Sequence, residues 1–156
     1  MLANLVLATV MVAVTVLIHF FGLAALMILL NRRARDIHQE ARVWRQGAAI
    51  VAVIFGLFAV HTVEIWTYAA LYRFLGEFDT LEAALYFSAS TFTTVGFGDI
   101  YLDESWRLLS AIESANGFLL IGWSTAFLIS VTARLRALEL EWTERREEAQ
   151  AERGDA

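Results

Sequence analysis

The sequence predicts an all-α membrane protein: three spanning helices and one short re-entrant helix that leads into an irregular loop. Three observations predict it. Of 156 residues, 58% are hydrophobic, above the about 45–50% usual in soluble domains. The charges are segregated outside three long apolar runs. Between the second and third runs lies a fourth apolar stretch, too short to cross a bilayer, followed by glycines on alternate positions. Cysteine and proline are absent, so no disulfide or thiol chemistry is available and helix bends must come from glycine or local hydrogen-bonding defects. All 12 basic residues are arginine, without aromatic interleaving or a recognition motif, which gives no reason to propose nucleic acid. No nucleophile–base constellation or phosphate-binding loop is visible, so the expectation is no enzyme and no organic cofactor.

Residues 1–30 form the first element. Leu5 to Leu30 is a run of 26 residues whose polar points are Thr9, Thr15 and His19; a spanning helix needs about 20. Met1 to Asn4 lacks the positive charge of a signal peptide, so a retained helix is expected. Residues 31–46 are a basic linker, with five arginines against Asp36 and Glu40 and with Trp44 at the membrane interface. Short loops rich in arginine stay cytoplasmic. Its composition allows either a surface helix or a continuation of the first span.

Residues 47–132 form one unit. The outer helix, 47–75, carries His61, Glu64 and a terminal Arg73. Gly76 to Asp79 breaks the pattern, and Asp79 or Thr80 can cap the next helix, with Glu82 in capping-box spacing from Asp79. The helix at 80–91 is about 18 Å long, too short to cross. Such a dip, returning as irregular backbone, is tolerated only against protein or a water-filled cavity. Trp106 and Arg107 look like an interfacial anchor of the last span, 105–132, whose only candidate hinges are Gly117 and Gly122. The charged tail, 133–156, reads as helical and cytoplasmic. Leu135, Leu138 and Trp142 fall at heptad spacing, and both a coiled coil and a frayed solvated helix fit.

The loop at 93–99 carries the chemistry. Two glycines at alternate positions, Gly96 and Gly98, can take left-handed backbone angles, so consecutive carbonyls can point to one side. With the Thr94 hydroxyl below them, several copies around an axis would stack rings of oxygen. Thr94-Val95-Gly96-Phe97-Gly98-Asp99, preceded by Thr93, closely resembles the selectivity filter of potassium channels. Over Gly47 to Thr132 the chain resembles the prokaryotic two-helix pore-domain channels, with an additional N-terminal helix that the family pattern does not explain.

The resemblance implies a homotetramer with no separate protein partner, in the lipid of the inner membrane, conducting potassium down its gradient. It implies that Thr94, Val95, Gly96 and Phe97 hold K+, with Gly98 shaping the outer mouth. Thr93, Ser90, Tyr86, Phe87 and Asp99 would support the filter, Tyr86 and Phe87 as an aromatic cuff. Phe97 lacks the hydroxyl commoner in the family, which leaves the upper filter held by packing alone. Ser90 stands where some bacterial relatives carry a glutamate, so Asp99 either finds another partner or remains solvated. Aligned by distance from the filter, Ala115, Leu119, Gly122, Ala126 and Ser130 resemble the pore-lining stripe; small residues that permit tight helix packing read the same way. Leu120, Trp123 and Phe127 would then face lipid or the outer helix.

Ionisable groups at apolar depth are costly and usually functional. His61 and Glu64 share a helix face, as a local hydrogen-bonded pair or as a proton sensor. Rise per residue puts His19 nearer the cytoplasm than Glu64 and argues against a metal site of the three. Counted likewise, Glu113 shares a level with Glu64. It is expected either to brace the pore helix, 80–91, through Ser90 or Thr91 or to pair with Glu64 or His61, and so to join the proton-sensitive candidates. Two alternatives to a potassium channel are a weakly selective monovalent cation channel and, from another class, a proton-linked transporter. No inverted repeat of broken helices supports the latter.

The arginine bias of 31–45 sets the topology: N-terminus outside, filter mouth outside, tail inside. A cysteine replacing Ala3 is therefore expected to react with an impermeant thiol reagent applied to intact cells, and one replacing His38 is not. The reverse labelling pattern would overturn this orientation.

Overall fold

The computed structural model describes residues 2–35 and 42–154. They form four helices: α1 Leu2–Arg35, α2 Arg42–Phe74, α3 Leu81–Phe92 and α4 Arg107–Gly154. α1, α2 and α4 each hold a stretch long and apolar enough to cross a membrane, Leu2–Arg32, Gly47–Phe74 and Arg107–Ala137. The helices overrun the apolar runs. Residues 31–35 extend α1 and 42–46 open α2, shortening the expected linker from both sides; its middle, 36–41, lies outside the described residues. α4 starts at Arg107 rather than 105, and the last span and the tail are one helix to Gly154. No glycine or proline interrupts 133–152, and arginine, alanine, leucine and glutamate favour the helix. Residues 155 and 156, and the side chains of Leu138 and Trp142 on which a coiled coil depends, lie outside the described residues.

α2 stops at Gly76, whose φ of 79° suits glycine. Glu77 N–H donates to the Tyr72 carbonyl and Gly76 N–H to that of Arg73, at 3.1 and 3.2 Å, closing the helix in a Schellman motif. Arg73 then donates to the Phe78 carbonyl, so the turn into α3 is tied at both ends. Of the two candidate caps, Thr80 serves: its hydroxyl accepts from Ala83 N–H at 3.1 Å.

α2 packs antiparallel to both α1 and α4. Tyr72, Tyr68 and His61 of α2 meet Glu113, Asn116 and Ser124 of α4 in descending order. α1 runs parallel to α4, with Asn4 on the Ser105 carbonyl, Thr15 on Asn116 and Met27 on Arg134. Between apolar helices in lipid there is little hydrophobic drive to associate, so close packing and polar bonds of about 0.6–2 kcal/mol each set the register. Gly22 of α1 receives Val60 and Gly56 of α2 receives Leu26, each too close for a Cβ.

This packing corrects two depths counted from the apolar runs. His19 is level with Glu64, its Nδ1 2.9 Å from Glu64 Oε1. Glu113 sits level with Tyr72, eight residues and about 12 Å nearer the α2–α3 turn than Glu64. The error lay in the zero: α2 and α4 do not end where their apolar runs end. A buried polar belt, comprising Thr15, His19, Glu64, Asn116 and Ser124, separates an outer apolar cluster around Tyr68, Tyr72, Phe87, Phe92 and Leu109 from an inner one of Leu23, Val53, Leu57 and Val131.

α3 wedges between the outer halves of α2 and α4, and its last residue, Phe92, is fully buried. The Phe92 carbonyl rests on Gly117, where any Cβ would overlap it. α4 is helical through both glycines, so Gly117, expected as a hinge, is a seat for α3. Around Gly122 the chain leaves open space. Gly117→Ala is expected to destabilise the fold by about 1–3 kcal/mol, because backbone must move, and Gly122→Ala to change it little. Denaturant unfolding in detergent, followed by tryptophan fluorescence, measures both; equal effects would remove the seat.

Candidate functional site

The site is built where α3 ends. Thr93 caps it, with its N–H on the Ala89 carbonyl at 3.2 Å and its hydroxyl on the same carbonyl at 2.7 Å. From Thr94 to Gly98 the sign of φ alternates: Thr94, Gly96 and Gly98 take 62°, 56° and 72°. Such angles suit the glycines; for a β-branched threonine they are strained. Surrounding bonds hold the strain: Thr94 N–H donates to the Thr91 carbonyl at 3.0 Å, and Gly96 N–H to the Ser90 carbonyl at 3.1 Å.

Ser90 does more than its place in the sequence suggested. Its hydroxyl also accepts Phe97 N–H at 3.2 Å. All peptide bonds here are trans, so N–H and C=O of each unit point opposite ways. With the N–H groups of Gly96 and Phe97 on α3, the carbonyls of Val95 and Gly96 point away from it, toward the open side where Thr93 to Asp99 are exposed. The upper loop is thus held by backbone bonds to Ser90 as well as by packing, which corrects the expectation of packing alone.

Asp99 finds its partner in Tyr86, whose hydroxyl donates to Oδ2 at 2.8 Å; the bond raises the tyrosine's pKa above its ordinary value. The Tyr86 ring lies parallel to Phe97, centroids 6.0 Å apart. Phe87 goes elsewhere: its ring packs on Tyr72 and Phe78 at 5.4 and 5.2 Å. One turn of α3 points residue 86 at the loop and residue 87 at α2, so the pair is not a cuff in this chain. The Gly98 carbonyl accepts the Tyr101 hydroxyl.

Behind α3, Glu113 is fully buried. Its Oε2 accepts the Tyr72 hydroxyl at 2.5 Å, and its Oε1 lies 2.6 Å from the hydroxyl of Ser88. Ser88 also lies 3.0 Å from the Ile65 carbonyl of α2. Glu113 therefore does touch the back of α3, through Ser88 rather than Ser90 or Thr91, and it pairs with neither Glu64 nor His61. Tyr72, Ser88 and Tyr101 escaped sequence reasoning, since each has a partner on another element or across a turn. The hydroxyl of Tyr101, three residues past Gly98, was the one local signal.

Ala115, Leu119, Gly122, Ala126 and Ser130 lie exposed along α4. Leu120 is buried against the helices, Trp123 has its ring 5.2 Å from that of His19, and Phe127 packs on the inner cluster. The stripe and the loop at 93–98 are both uncovered in the single chain.

A family model described as an ion channel matches residues 50–134, from α2 to the inner part of α4. No curated protein and no solved structure matches the chain.

Glu113→Ala leaves the hydroxyls of Tyr72 and Ser88 without their acceptor in a buried place, at a cost of about 1–3 kcal/mol. Glu113→Gln keeps an acceptor for one and a donor for the other and is expected to cost less. Unfolding midpoints in detergent rank the two; equal midpoints for both variants and the native chain would show that α3 does not depend on this bond.

Proposed function

The chain belongs to the ion channel family, and from that premise we propose that it is a potassium-selective channel of four identical subunits. The observation that carries the reading is the pair of N–H bonds from Gly96 and Phe97 to Ser90, which aim carbonyls to the uncovered side. Four copies around an axis would bring these carbonyls, with those of Thr94 and Phe97 and the Thr94 hydroxyl, into rings that replace the water of a dehydrated potassium ion. Gly98, its carbonyl held by Tyr101, would shape the outer mouth. The uncovered stripe from Ala115 to Ser130 would line the cavity beneath.

Charge would favour cations at both ends. The C-terminal end of α3 carries the negative pole of its helix, facing the cavity. Asp79, Glu82, Asp99, Asp103 and Glu104 are exposed on the α2–α3 and α3–α4 side, where they outnumber Arg73 and Arg107; focused negative charge raises the local cation concentration. The orientation that puts this side outside, in the inner membrane, follows from the arginines of 31–45.

Reconstituted in liposomes, the chain is expected to pass potassium far better than sodium and to be blocked by barium, which is close to potassium in size. Gly96→Ala forces a left-handed angle on a residue with a Cβ, about 1–2 kcal/mol in each copy and fourfold around a tetramer, and selectivity is expected to collapse. Separate potassium, sodium and proton fluxes decide. Equal potassium and sodium fluxes would make it a weakly selective cation channel, and proton-coupled flux a transporter.

A further inference from the structure

We propose that His19, His61 and Glu64 form a binding site for one divalent transition-metal ion of the zinc class, buried between α1 and α2 and backed by α4. Their donor atoms all lie within 4.8 Å of one another. His19 Nδ1 is 2.9 Å from Glu64 Oε1, and His61 Nδ1 is 2.8 Å from Oε2. Tetrahedral donors at zinc–nitrogen and zinc–oxygen distances of about 2.0–2.2 Å stand about 3.3 Å apart, so the pairs at 2.9 and 2.8 Å need to part by a few tenths of an ångström to admit the ion.

The chemistry of the donors selects the ion. Two imidazoles and one carboxylate suit zinc, cobalt or nickel rather than calcium or magnesium. Three protein ligands leave a fourth position open. The charge balance points the same way: Glu64 is fully buried, and its only ion-pair partners among the described residues are these two imidazoles. A buried carboxylate needs a cation close by. If both rings are neutral donors, the triad keeps a net negative charge that a divalent ion would more than offset.

The supporting shell is half built, as metal-site histidines require of their second nitrogen. His61 Nε2 lies 2.9 Å from Ser124 Oγ of α4, which fixes the ring with Nδ1 toward Glu64. His19 Nε2 is buried and has no hydrogen-bond partner among the described residues; the Trp123 ring lies against that imidazole. His61, with 17% of its side chain exposed, is the edge by which an ion would enter. Occupancy would lock α1 to α2 and reach α3, because the His61 ring lies 5.8 Å from that of Phe92. The proposal stands whether or not the loop at 93–99 selects potassium.

The test uses the full chain in detergent, purified through a tag without histidine; the absence of cysteine removes thiolate binding. Added cobalt is expected to give the visible absorption of a four-coordinate site, and equilibrium dialysis with zinc to give one ion per chain. Ser124→Ala is expected to weaken zinc binding about 10–100-fold, and His19→Ala and Glu64→Gln to weaken it more, with helix content by circular dichroism unchanged. Should the ligand variants misfold, Ser124→Ala still carries the comparison. Native chain without cobalt bands and without zinc after dialysis would overturn the site. So would zinc affinity unchanged by Glu64→Gln, or a melting temperature that follows pH but not zinc, which would make the triad a proton-sharing cluster.

Discussion

Everything near the loop depends on one constraint: backbone that leaves the helix inside an apolar medium must find its hydrogen bonds in protein. Ser90 meets that constraint twice, with its carbonyl on Gly96 and its hydroxyl on Phe97. A glutamate in its place could reach Asp99 but has no short hydroxyl to offer Phe97 N–H. Tyr86 takes the aspartate instead. Apart from the Gly98 carbonyl, which Tyr101 holds, the bonds described for the loop are made from α3, and its shape follows wherever α3 is held.

α3 in turn is held from two sides. Gly117 admits the Phe92 carbonyl against the backbone of α4, and Glu113, one turn nearer the N-terminus of α4, reaches Ser88 and Tyr72. The first is contact at close range, tolerating no added carbon. The second links α4, α3 and α2 through a single carboxyl group. A bare carboxylate at that depth would cost several kcal/mol, so the two hydroxyls are a condition of its being there.

The first helix, which the matched family stretch does not include, is part of the same scaffold. It lies parallel to α4 and antiparallel to α2, with polar contacts at Asn4, Thr15, His19 and Met27 distributed along its length. Polar partners at three depths fix rotation as well as register, which apolar packing in lipid does weakly. Residues in the belt at His19 and Glu64 can thus serve chemistry on either neighbour.

The sequence by itself determined the four helices, the short one's inability to cross, the two candidates for the cap at its start and the alternating glycines after it. These depend on neighbours within about one turn, through apolar runs, capping and allowed φ. Only the tertiary structure decided the partners: Ser88 for Glu113, Tyr86 for Asp99, Ser90 for the loop backbone, and His19 beside Glu64. Those contacts join residues 7 to 45 apart, from Ser90 with Phe97 to His19 with Glu64. Rise per residue gives depth along one helix but no common origin for two. The origin comes from which side chains interlock, here Gly22 with Val60, Gly56 with Leu26 and Gly117 with Phe92. A periodic apolar pattern repeats every turn and so cannot distinguish one interlocking register from the next.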